Sequence, residues 1–374
     1  MRLSCLQENL SRGLSIVGRA VASRTTLPVT QNVLLATDQA RLRLSATNLE
    51  IAISTWVGAR VDQEGALTIP ARLLTEFVNS LPSDRIDLEV QEQPRGLHLS
   101  CARFQARING IDAEEFPPVP RVEEGLVVSI GPQALRSAIN QVVLAAATED
   151  SRPVLTGVKV DLDGDRITFA AADGFRLAVH TATLGEAVTE GASFIVPART
   201  LNEVNRLLSD QDEPVEIVVA ANQSQVLFRL KNVELVSQLI QGTFPDYGQL
   251  IPTSYTTRTV VSTEEFRKAA RAASIFARDG TGIVRIMVQP GSPGTLQLMA
   301  SSDEVGENSG ELDAEVEGQE GRVAFNNRYL LDVLGVLQAE QVALEINTSS
   351  SPGVIRPVGS EGYVHVIMPM FVQW

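Results

Sequence analysis

One ordered pattern of elements occurs three times along this 374-residue chain, and that repeat limits the fold more than any single motif does. Each copy opens with apolar residues at helical spacing. In the first copy, over 5–22, they are Leu6, Leu10, Leu14, Ile16 and Val17. In the second, over 132–148, they are Leu135, Ile139, Val142 and Val143, and Pro132 suits a first helical turn. In the third, over 263–278, they are Phe266, Ala269, Ala270, Ala273 and Phe276, and Ser262 with Glu265 forms a capping-box pattern. Alternating β-type runs follow each opening, and the second copy carries an Asp163-Gly164 hairpin signal. A short strand then leads into a second helix at Ile69-Pro70-Ala71-Arg72, at Val196-Pro197-Ala198-Arg199, and at Phe325-Asn326-Asn327-Arg328. The copies span 1–125, 126–251 and 252–374, and the first two close on Glu115-Phe116-Pro117 and Thr243-Phe244-Pro245.

Two helices and several alternating strands per copy imply an α+β fold, with the helices on one face of antiparallel sheets. Hydrophobic residues make up 44 % and charged residues 20 %, an ordinary globular balance. The N-terminal stretch is broken by Glu8, Arg12 and Arg19, so no signal peptide is expected. No stretch is apolar for long enough to span a membrane. Cys5 and Cys101 form no disulfide framework or zinc pattern, and the expected location is cytoplasmic.

Catalytic motifs are scarce. His98, His180 and His365 each fall near a strand, without a companion at metal-ligand spacing. No phosphate loop, dinucleotide fingerprint or nucleophile elbow occurs. Asp161, Asp163 and Asp165 imitate the start of a calcium loop, but Arg166 and Ala172 occupy its glycine and glutamate positions. No cofactor and no metal are expected. Two stretches are distinctive: the charged turn Ala172-Asp173-Gly174-Phe175-Arg176-Leu177, and the apolar run from Val364 to Trp374, whose methionines suit an adaptable binding surface.

Phrases in all three copies carry a resemblance. These are Arg24 to Pro28, Ile69 to Arg72, Val154 to Val158, Ala172 to Leu177, Val196 to Arg199, Phe244 to Tyr247, and Ile367 to Met370. In these the whole chain resembles the bacterial DNA polymerase III beta subunit family, the sliding clamps. The resemblance implies a DNA clamp fold of three similar domains, closing as a homodimer into a ring around duplex DNA. It implies a non-catalytic processivity factor that tethers the DNA polymerase III alpha subunit and is loaded by a clamp loader. Other polymerases and repair proteins would dock by short linear motifs in an apolar cleft.

By the same resemblance, the cleft uses Leu155, Ala172, Gly174, Phe175, Arg176, Leu177, Pro245, Gln249, Leu250, Val366, Met368, Pro369, Met370 and Phe371. Arg176 is expected as a polar handle at its edge. Ala172, Phe175, Gln249 and Phe371 depart from the residues frequent in the family and make the cleft more apolar and less basic. Arg24, Arg72 and Arg199 match or neighbour positions that approach DNA, and the helix arginines Arg136 and Arg206 join them. The ring seam would set Phe104 and Ala106 against Ile275 and Phe276 of a second chain.

The net charge of −14, from 31 basic and 45 acidic residues, argues at face value against a nucleic-acid partner. Six helix windows, 5–22, 71–81, 132–148, 198–209, 263–278 and 326–338, reverse that sign. They hold eleven basic and six acidic residues, a net of +5, which leaves −19 elsewhere. A basic lining in an acidic shell suits non-specific phosphate contact that permits sliding. Two other readings stay open: a monomeric peptide-binding scaffold, and a hydrolase using Asp173 and Arg176 beside a histidine.

Overall fold

The structure is a computed structural model that describes all residues except 123, 150, 278–281 and 305. Six α-helices are described: α1 (Gln7–Val17), α2 (Ala71–Ser80), α3 (Pro132–Val142), α4 (Ala198–Leu207), α5 (Thr263–Ala277) and α6 (Asn327–Val336). They fall two to a copy, as expected. Each copy, however, opens on a strand rather than on its helix: Arg2–Leu6, Gly125–Ile130 and Thr257–Ser262. Cys5 and Leu6, read as the first turn of a helix, belong to the first of these strands, and Leu6 is exposed. Alternation over five residues is too short for periodicity to separate from the helix behind it.

Each helix buries one stripe of apolar residues. Leu10, Leu14 and Val17 of α1 are buried, as are Leu74 and Val78 of α2 and Leu330, Val333 and Leu334 of α6. Each such side chain contributes about 1.5–3 kcal/mol to the driving force for packing. Helix α3 begins at Pro132, and the Ser262 hydroxyl accepts the Glu265 amide at 3.4 Å to cap α5. The hairpin in the second copy joins Gly157–Asp163 to Arg166–Ala172, with Gly164 at φ +57° in the turn.

The strands form three sheets and two compact units. One unit comprises 1–132 and 203–239. It contains a five-stranded sheet, in the order Ala59–Gln63, Arg2–Leu6, Arg85–Glu92, Arg95–Cys101 and Phe104–Asn109. Its eight-stranded sheet runs from Gly125–Ile130 to Ala66–Pro70 and is continuous across a copy junction: Val233–Gln238 pairs antiparallel with Ile51–Val57. The other unit comprises 133–202 and 240–374. Its twelve-stranded sheet crosses a junction in the same way, where Arg176–Thr183 pairs antiparallel with Tyr363–Ile367. The second copy therefore contributes to both units. Among the described residues, no helix is long and apolar enough to cross a membrane.

Candidate functional site

The second unit brings the two distinctive stretches of sequence together. Strand Arg166–Ala172 ends at the charged turn, and Arg176–Thr183 leaves it. The Asp173 carboxylate shapes the turn, accepting the amides of Phe175 at 2.9 Å and Arg176 at 3.0 Å. Gly174 has φ +93°, and a Cβ there would meet the Arg152 guanidinium at 3.3 Å. Directly across the ladder, Arg176 faces Ile367 and Leu177 faces Val366. The Met368 amide then donates to the Phe175 carbonyl at 2.8 Å, tying the middle of the long apolar run to the turn.

Beneath this junction lies a packed apolar floor. Leu155, Ala172, Leu177 and Val366 belong to one buried cluster with Phe244, Val354 and Val364, and Val154, Tyr247 and Ile251 pack against it. Above it stand large apolar side chains in water: Phe175 is 59 % exposed, and Met368 and Leu250 are also exposed. Pro245 is exposed beside the buried Phe244, and Pro369 and Met370 are half-buried. Gln249 donates to Asp246 at 2.8 Å on the 3₁₀ turn Gly248–Leu250. The Met370 amide donates to the Ala324 carbonyl at 2.8 Å, and Phe371 is 87 % exposed. Trp374 stacks on Arg322, whose guanidinium carbon lies 5.2 Å from the ring centre. A rigid floor with an exposed apolar rim is the surface type that takes up an apolar peptide.

Arg176 is not the rim handle that its sequence position suggests. Its side chain is only 8 % exposed, because its guanidinium turns under the turn instead of outward. Nε donates to Asp173 at 3.1 Å, and Nη1 donates to Asp332 on α6 at 2.6 Å. The guanidinium lies 4.3 Å from the ring centre of Tyr329, one helical turn before Asp332. The ion pair that the hydrolase reading would use is thus wholly engaged in packing. Arg152, Tyr329 and Asp332 join this region without having been singled out in sequence. Only the i, i+3 spacing of the last two signals a shared helix face.

The arginines expected to meet DNA lie on or near helices. Arg24 and Arg199 are exposed, and Arg136 is half-buried and makes no ion pair among the described residues. Arg72 is 91 % exposed and paired with Glu76 at 2.8 Å, while Arg206 pairs with Glu203 at 2.5 Å. Arg12 on α1 pairs with Asp210 in the 3₁₀ turn after α4. Between these two helices lies a polar hollow of about 910 Å³, with Arg12, Arg19, Arg206 and Lys231 on its walls. The helices as folded carry nine basic and six acidic residues, so the sign reversal persists with a smaller excess. Arg19 falls in the 3₁₀ turn after α1, and Arg278 lies outside the described residues.

The residues expected at a seam sit on unfinished surfaces. Phe104 and Ala106 share a face with the buried Ile108 on Phe104–Asn109, the outer strand of the five-stranded sheet. In the other unit, Gly306–Gly318 pairs with Thr257–Ser262 only from residue 315 onward. Among the described residues, its first half is paired on one side only, by Gly294–Ser302. Ile275 on α5 is exposed and Phe276 is half-buried.

Comparison with known proteins covers nearly the whole chain. Residues 1–120, 129–246 and 248–371 match the family models described as the N-terminal, central and C-terminal domains of the DNA polymerase III beta subunit. The beta sliding clamp of Synechocystis sp. is 34 % identical, with 99 % of each chain covered. The chain belongs to the DNA polymerase III beta subunit family. A crystal structure of the Bacillus subtilis DNA polymerase sliding clamp superposes with a TM-score of 0.95 at 29 % identity, covering 100 % of both chains. One of the Pseudomonas aeruginosa clamp, described as bound to griselimycin, superposes with a TM-score of 0.92 at 30 % identity over 100 % of both.

In this non-catalytic family of processivity factors the histidines need no chemical role, and the surroundings of His180 and His365 give those two a structural one. His180 Nδ1 lies 2.7 Å from the Gln141 side-chain oxygen, and burial lowers its pKa. The Tyr363 hydroxyl donates to the Gln141 carbonyl at 3.1 Å, which uses its one proton. The 3.0 Å contact between Tyr363 and His365 Nδ1 therefore assigns a proton to Nδ1. Nε2 of His365 is left buried with no hydrogen-bond partner among the described residues. Burial first, and then the Arg176 charge, hold the His365 pKa at about 3. Burial likewise raises the Tyr363 pKa well above the usual phenol range.

Proposed function

We propose that this beta subunit closes as a homodimer into a ring around duplex DNA and tethers the DNA polymerase III alpha subunit to it. The ring has three clamp domains per chain, 1–125, 126–251 and 252–374, and works in the cytoplasm. The observation that carries this reading is the opposite charge of two among the open strand edges. Phe104–Asn109 carries Arg107 and follows Arg103, while the open half of Gly306–Gly318 carries Glu307, Glu311 and Asp313. Edges of opposite charge with unfinished apolar faces favour joining one chain to the next head to tail. The Phe104 and Ala106 face would then be covered by Ile275 and Phe276 of the second chain.

Arg24, Arg72, Arg136, Arg199 and Arg206 supply diffuse attraction to phosphates, with no base readout to arrest sliding. Persistence on DNA comes from closure of the ring, so a clamp loader must open it. The alpha subunit, the clamp loader and repair polymerases dock through short linear motifs on the Phe175–Met368 surface. The exposed apolar rim over its packed floor supports that assignment.

The deciding measurement is retention of the loaded protein on nicked circular DNA before and after a single linearising cut. Enclosure is expected to release the protein only after the cut. Replacing Ile275 and Phe276 with serine is expected to abolish retention and to yield monomers in sedimentation. Equal retention on both DNA forms, or an intact dimer in the variant, would overturn the reading.

A further inference from the structure

We infer that Asp332, on the far helix α6, is a positioning residue of the docking surface and sets its affinity without lining it. The inference rests on the docking reading above. Its basis is a chain of contacts, each committing the next. The Asp332 carboxylate and the Tyr329 ring hold the Arg176 guanidinium, at 2.6 Å and 4.3 Å. Arg176 Nε holds one oxygen of Asp173, whose other oxygen accepts the amides of Phe175 and Arg176. The turn so fixed presents the Phe175 side chain on one side, and its carbonyl receives the Met368 amide on the other. Two of the exposed apolar side chains of the rim, Phe175 and Met368, thus hang from one ionic group.

The arrangement is sensitive to Asp332 because Arg176 has almost no access to water. An exposed arginine that loses a carboxylate is resolvated, at little cost. A buried one must find a new partner or move. With Asp332 neutralised, Asp173 is the one carboxylate left to the guanidinium, which the Tyr329 ring still faces, and the charge is drawn toward Asp173 or out to solvent. In either case the Asp173 turn loosens. Phe175 and Met368 then lose their fixed spacing, and a ligand must order them itself, which lowers affinity. Asp332 lies one helical turn beyond Tyr329 on α6, so the third copy of the repeat controls a turn that belongs to the second.

The test uses full-length protein and griselimycin as the probe, with affinity read by titration calorimetry. Asp332→Asn is expected to bind about tenfold more weakly, within the range of coupling through a contact chain. Asp332→Glu is expected to recover most of the loss. In hydrogen exchange, the Phe175 and Arg176 amides of Asp332→Asn should exchange faster while Ala178 and Val179 stay protected. A merely structural role would instead lower protection throughout the strand. If Asp332→Asn does not fold, Tyr329→Leu provides the same readouts with both carboxylates intact. The double variant Met368→Asp, Met370→Asp tests the docking surface itself. If it weakens griselimycin binding while Asp332→Asn binds as wild type, the positioning role is overturned and the docking surface stands. If it leaves binding unchanged, the docking reading itself falls.

Discussion

Two arginines of this chain make the same kind of bond in opposite surroundings. Arg72 pairs with Glu76 across one turn of α2, at 2.8 Å, with nine-tenths of its side chain in water. Arg176 pairs with Asp173 and Asp332 at 3.1 Å and 2.6 Å, under a turn and against an aromatic ring. The bond at Arg72 competes with water at every moment, so the side chain can release Glu76 and reach for a phosphate at little cost. At Arg176, where the guanidinium is almost wholly buried, water competes far less, and the guanidinium serves as a fixed strut. Under the proposed function, a moving ligand such as a DNA duplex would be met by the first kind of arginine. A surface that must recognise shape is braced by the second.

The sharpest way to break this comparison is to remove the strut. Arg176→Ala strands Asp173 and Asp332 beside a vacated space and is expected to cost about 3 kcal/mol in urea unfolding. A loss near zero would mean that the buried network has no more weight than a surface pair.

A second test uses pH. The folded pKa of His365, about 3, lies below its ordinary value of 6.5, so below pH 6.5 the unfolded chain binds a proton that the folded chain refuses. Stability is therefore full above pH 6.5 and falls as the pH drops toward 3, by about 1.4 kcal/mol per pH unit. His180, also lowered by burial, adds in the same direction. Unfolding at pH 7 and pH 5 should show His365→Gln losing about 2 kcal/mol less than the wild type. Parallel losses would place the titration elsewhere.

The smallest effect is expected at the other arginine. Arg72→Ala should leave the urea midpoint unchanged and lower the salt slope of DNA binding by about one. A stability loss comparable to that of Arg176→Ala would erase the distinction between the two.

The sequence made the threefold repeat, the helix count and the capping residues legible, because each rests on local spacing. Ser262 with Glu265, Pro132 and the Asp-Gly hairpin all act within four residues. The opening strands were hidden because five or six residues of alternation merge with the helix that follows. The site was legible as two unusual stretches of sequence. That they meet depends on the ladder between Arg176–Thr183 and Tyr363–Ile367, a pairing across more than 180 positions that no local rule supplies. Arg176 shows the same limit: its residue type implies an exposed charge, and only Asp332, 156 residues away, explains its burial.

The sheets that cross the copy junctions have a consequence for how such a chain can be cut or extended. Each junction is a shared backbone ladder, Val233–Gln238 on Ile51–Val57 and Arg176–Thr183 on Tyr363–Ile367. A second copy excised alone would bare two strand flanks and invite aggregation rather than fold as a module. The repeat of sequence is therefore not a unit of stability. Adding or deleting a copy requires that the newcomer bring the matching flank. The open flank of Phe104–Asn109 and that of the first half of Gly306–Gly318 leave the same requirement unmet within one chain.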